Sequence, residues 1–138
     1  MIEDACLTAI LIVDNDLGFV FWLGHLLDAE GFSAYPARTV PDAALLILQF
    51  DLSPDLLVIN PELPSAQELI SSLHRLNGRI CVIAVGNSSA NLEHFPGIHK
   101  YIPKAPQFDN SAGETWIHLI HEALHPYDQS HNARTGPN

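Results

Sequence analysis

The chain has 138 residues, 47% of them hydrophobic and 16% charged, which suits one packed domain and excludes wholesale disorder. Six Lys plus Arg stand against sixteen Asp plus Glu, a formal charge of −10, and this argues against nucleic acid and against docking on an anionic membrane. The longest run free of Asp, Glu, Lys and Arg is thirteen residues, Ile80 to Leu92, short of the about 20 apolar residues a spanning helix needs.

The start, Met1-Ile2-Glu3-Asp4, is acidic where a signal peptide is basic. Two cysteines, Cys6 and Cys81, make neither a disulfide framework nor a metal-type pair. A cytoplasmic protein is expected.

In chain order, Leu7 to Val13 is an apolar run that ends at Asp14-Asn15-Asp16, the pattern of a strand buried on both faces. Leu17 to Glu30 has helical spacing and stops at Gly31. Ser33 to Ala37 reads as a weaker strand. Pro41 to Phe50 reads as a helix with Thr39 as its N-cap and Pro41 in the first turn. Leu56 to Ile59 is the third strand, ending at Asn60, and Ala66 to Leu76 is a helix ending before Asn77-Gly78. Ile80 to Val85 is the fourth strand, ending at Gly86. Ser88 to His94 reads as a short helix, Lys100 to Ile102 as a strand and Ala112 to His125 as the last helix. The alternation βαβαβαβαβα calls for a parallel sheet with right-handed crossovers and helices on both faces. Residues 1–126 are expected to form one domain, and the polar segment 127–138 a frayed tail.

In an open α/β sheet the working site lies beyond the carboxyl ends of the strands. Those ends carry Asp14-Asn15-Asp16, Asn60-Pro61, Gly86-Asn87 and Lys104. The segments Ile10 to Asp16, Asp55 to Pro64 and Gly97 to Lys104 together resemble the receiver domain of two-component response regulators over about residues 7–125. The resemblance implies a flavodoxin-like (βα)5 fold with a five-stranded parallel sheet. It also implies a place in bacterial two-component signalling or a phosphorelay, with a histidine kinase or another response regulator as partner.

The same resemblance marks where the chain departs from the family. A receiver is expected to hold an acidic pair after the first strand and a phosphoaccepting Asp after the third. Here the third strand ends at Asn60, whose amide has no anionic oxygen with which to attack a phosphoryl group. Asn15 stands at the second acidic position, leaving Asp14, with Asp16 displaced by one residue. Magnesium needs carboxylate charge, so at most a weak site at Asp14 is expected, and no cofactor. Gly86 stands where the family has Ser or Thr, while Tyr101 and Lys104 match the switch aromatic and the lysine. Deamidation of Asn60 is disfavoured because Pro61 lacks the N–H that attacks in the usual cyclisation.

Leu17 to Leu27 carries no charged residue, and its outer face offers mainly Phe21, Gly24 and His25. A surface helix ordinarily shows a polar outer face, so Phe21, Trp22 and His25 are candidate contacts for a partner. Trp116 and Leu119 in the last helix are candidates for a homodimer contact, with core packing as the plain alternative. His118, His121 and His125 form a stripe that reads as solvated and not as a metal site. Ser88-Ser89 reads as a helix cap, and Cys81 as an inert strand thiol.

The expected function is therefore signalling by protein–protein contact, without phosphorylation or catalysis. Two rivals stay open: a relaxed phosphoacceptor using Glu62, and a small-molecule sensor using the emptied acidic pocket.

Overall fold

In the computed structural model, which describes residues 8–86, 97–103 and 110–124, five strands form one parallel sheet. They are β1 (Ala9–Val13), β2 (Ser33–Ala37), β3 (Leu56–Ile59), β4 (Cys81–Gly86) and β5 (Lys100–Pro103). Their order is β2-β1-β3-β4-β5, the flavodoxin-like doubly wound arrangement. The helices are α1 (Leu17–Ala29), α2 (Val40–Phe50), α3 (Ala66–Leu76) and α4 (Asn110–Leu124). The expected helix at Ser88 to His94 and the tail 127–138 lie outside the described residues. Among the described residues, no helix is long and apolar enough to cross a membrane.

Strand periodicity divides the core in two. Ile10, Ile12, Leu56, Val58, Ile83 and Val85 point to one face, where Phe19, Leu23 and Leu27 of α1 meet Trp116 and Ile120 of α4. Leu11, Val13, Leu57, Ile59 and Val82 point to the other, against Ala43 of α2 and Leu69, Ile70 and Leu73 of α3. Because both faces are covered, β1 and β3 are apolar without alternation. Each large side chain fully buried there contributes about 1.5–3 kcal/mol.

The helix ends follow their local chemistry. Asp16 caps α1, its Oδ1 accepting from Phe19 N at 3.2 Å. At the other end Gly31 takes φ 94°, and the N–H of Phe32 reaches Leu27 O at 3.0 Å, closing a Schellman turn. Thr39 caps α2 as expected, its Oγ1 accepting from Asp42 N at 3.1 Å.

Trp116 is 2% exposed and its ring lies 5.7 Å from that of Phe19. It is a core residue at the α1–α4 seam, the core-packing alternative, and has no surface to offer a dimer contact. Leu119 packs partly buried against the same cluster. Gly24, assigned from the helical wheel to the outer face, is also buried.

Candidate functional site

At the carboxyl end of the sheet, β1 delivers Asp14 and β3 delivers Asn60 to adjacent positions. Asp14 N donates to Ala37 O at 3.1 Å, and Asn60 N donates to Val13 O at 3.0 Å, so the sheet ladder holds both backbones in place. Asp14 is 0% exposed, a polar group deep in an apolar setting. Burying it requires a donor, since an unpaired carboxylate in such a place is costly. Asn60 Nδ2 provides one, donating to Asp14 Oδ1 at 3.2 Å. On its other side, Asn60 Oδ1 accepts from Glu62 N at 3.0 Å. A carboxylate needs a donor and a backbone N–H needs an acceptor, so the two contacts set the amide in one orientation.

The other acidic-pocket candidates do not join this pair. Asp16 is engaged as the cap of α1, and Asn15 is exposed. Glu62 is exposed as well, and its backbone N–H rather than its carboxylate meets Asn60. Lys104 lies outside the described residues. A magnesium site does not fit these groups. A hard cation wants several carboxylate oxygens, and here an N–H donor is aimed at one of the two oxygens of the buried carboxylate. Among the described residues, no cluster of three or more His, Cys, Asp or Glu could hold a metal.

Gly86 and Tyr101 meet on the same side of the sheet. Tyr101 pairs with Ala84 across the β4–β5 ladder, so its ring lies diagonally beside Gly86, two residues further along β4. A Cβ on Gly86 would stand 3.0 Å from Tyr101 Oη. That hydroxyl is buried without a hydrogen-bond partner among the described residues.

The candidate surface residues separate. Phe21 is 57% exposed and His25 is exposed. Trp22 is half-buried, packed against the core with its ring 6.3 Å from Phe19. In the histidine stripe, His118 Nε2 pairs with Glu122 Oε2 at 3.2 Å, and the His121 ring lies 5.4 Å from Phe32. His125, Ser88 and Ser89 lie outside the described residues. Cys81 is half-buried at the start of β4, and burial pushes its thiol above the ordinary range.

Two histidines without a motif carry structure. His99 Nδ1 accepts from Val82 N at 2.9 Å, while His99 N donates to Val82 O at 2.8 Å. The side chain thus completes a ladder bridge just before β5. His74 Nε2 lies 3.1 Å from Gly97 O. Neither role has a spacing signature, because each depends on a contact across the fold.

The arrangement has many counterparts among solved structures. A CheY-like response regulator receiver domain from Methanospirillum hungatei superposes with a TM-score of 0.71 at 25% identity, over 90% of this chain and 98% of that one. The fold is the receiver fold. A receiver domain from Clostridium thermocellum matches with a TM-score of 0.68 at 16% identity, over 89% of this chain and 98% of its own. The chemotaxis protein CheY4 of Vibrio cholerae matches with 0.69 at 12% identity, over 86% and 99%. No protein-family model and no curated protein sequence matches the chain. On the receiver fold, Asp14 and Asn60 occupy the carboxyl ends of neighbouring strands, where such sheets place their working site.

Proposed function

We propose that this chain is a signalling domain that uses the receiver fold without the aspartyl-phosphate cycle and acts through contact with another protein. The observation that carries this reading is the Asn60–Asp14 hydrogen bond. A carboxylate at position 60 would supply an attacking oxygen and share a cation with Asp14. The amide supplies neither, and it donates a hydrogen bond to Asp14 Oδ1 in their place. The Gly86–Tyr101 packing supports the same reading, since Gly86 has no hydroxyl to report a bound phosphoryl group. The likeness to response regulator receiver domains supports a place in two-component signalling, with a histidine kinase, another regulator or a second copy as partner. Cytoplasmic location accords with the composition.

The test is treatment of the full chain with acetyl phosphate and Mg²⁺, followed by intact-mass measurement. No gain of a phosphoryl group is expected. A stoichiometric adduct on the chain would overturn the proposal, and its mapping to Glu62 would establish the relaxed phosphoacceptor instead.

A further inference from the structure

The strand β5 lies at an edge of the sheet, with β4 as its ladder neighbour. Its first ladder pair joins Lys100 to Ile83. One residue earlier, Val82 is 0% exposed, and a buried backbone N–H there needs an acceptor. The acceptor it finds is an imidazole and not a carbonyl. His99 Nδ1 accepts from Val82 N at 2.9 Å, while His99 N donates to Val82 O at 2.8 Å. An accepting ring nitrogen carries no proton, so in the neutral ring Nε2 carries it.

The same short run is seated on α3. Gly97 takes φ 91°, and a Cβ there would stand 3.0 Å from Ile70 Cγ2 and 3.3 Å from the His74 ring. Glycine alone lets the backbone approach the helix this closely. His74 Nε2 donates to Gly97 O at 3.1 Å, since a carbonyl only accepts. The rings of His74 and His99 lie 5.9 Å apart, centroid to centroid. Two imidazoles therefore fix this run, one to α3 and one to β4. They do not make a metal pair, because His99 Nδ1 is engaged by Val82 and its Nε2 carries the proton.

We propose that His74 and His99 form a pH-sensitive latch that holds the entry of β5 against α3 and β4 and opens on acidification. His99 is the sensing group. A proton on Nδ1 turns the acceptor into a donor, so that two N–H groups point at each other. The buried Val82 N–H then loses its partner, and a charged His99 stands beside a second imidazole that can also charge. The open run takes the proton without losing a bond, so acid favours opening and base favours closure. Other titratable groups near His99 do not reverse this sign. Asp55 and Arg79 line the same pocket of about 700 Å³, both exposed and opposite in charge, with Cys81 of β4 beside them as a neutral thiol. From α4 the pocket receives only Ala123 and Leu124, and Lys100, next on β5, adds a further positive charge. Tyr101 follows two residues after His99, so the latch sets how firmly the strand that carries it is held.

Nuclear magnetic resonance of the ¹⁵N-labelled full chain tests it, through the coupling that crosses the hydrogen bond from Val82 N to His99 Nδ1. The coupling is expected at about pH 8 and lost by about pH 5.5. Over the same range the protection of the Val82 amide against hydrogen exchange should fall about three- to tenfold, while the amides of β1 and β3 keep theirs. His99→Asn leaves an acceptor, its Oδ1, that takes no proton, so the Val82 amide should be equally protected at both pH values. His99→Leu should leave it weakly protected at both. A coupling absent at pH 8 or retained at pH 5.5 overturns the proposal. So does a His99→Asn chain as pH-sensitive as the native one, or a loss of protection through the whole sheet at once. The latch lies at the amino end of β5 and the Asp14–Asn60 pair at the carboxyl ends of β1 and β3, so the acetyl phosphate result stands apart from this one.

Discussion

Tyr101 occupies the space that a side chain on Gly86 would fill, its Oη 3.0 Å from the position of a Cβ there. The buried hydroxyl has no hydrogen-bond partner among the described residues, so among those residues packing holds the ring in the space that Gly86 leaves. Gly86→Thr closes that space and drives the ring outward. In 3-fluorotyrosine-labelled protein, the ¹⁹F resonance of Tyr101 is expected to move to a solvent-exposed shift in the variant. Tyr101→Phe removes an unsatisfied group and is expected to raise stability by about 1 kcal/mol in urea unfolding. A comparable loss would show that the hydroxyl is bonded.

Asn60 Nδ2 donates to Asp14 Oδ1 between the carboxyl ends of the neighbouring strands β3 and β1. Asn60→Asp places a second carboxylate within about the same distance of a fully buried one. Repulsion is expected to cost about 1–3 kcal/mol at pH 7. Thermal melts with and without Mg²⁺ check this: the ion should recover stability in the variant and leave the native chain unchanged.

The aromatic residues Trp116 and Phe21 are separated by burial alone. Trp116→Ala is expected to cost about 3–5 kcal/mol, because it empties the α1–α4 seam. Phe21→Ser should fall within about 0.5 kcal/mol of the native monomer, since the ring is already largely in water. Urea titrations at dilute protein concentration compare the two.

Burial raises the Cys81 thiol, so its thiolate is scarce at neutral pH. In a Cys6→Ser background, iodoacetamide should label Cys81 more slowly in the native chain than in urea. The unfolded thiol ionises first as pH rises, so native stability should decline through the ordinary thiol range. Cys81→Ala should flatten that decline in urea midpoints measured from about pH 8 to 10.

Much of the fold was legible because its signals are local. The runs ending at Val13, Ile59 and Gly86 are apolar without alternation, since both sheet faces are covered, and the bounds of β3 and α3 match their sequence patterns residue for residue. The Thr39 cap was readable from its spacing to Asp42. That position 60 carries an amide and not a carboxylate is likewise a matter of residue type, and its bearing on phosphorylation rests on the resemblance alone.

What only the tertiary structure decided are relations between distant segments. Helical periodicity groups Phe19, Trp22, Gly24 and Phe21 by angle but does not say how wide the cover from a neighbouring element is; in the fold Gly24 is buried and Phe21 is left out. Asp16 reads as a pocket acid until the helix start turns it into a cap. The Asn60–Asp14 bond spans 46 residues, and the His99 bridge to Val82 spans 17. Parallel strands are joined through helices, so partners across the sheet are far apart in the chain, and no local pattern encodes which side chains those crossovers bring face to face.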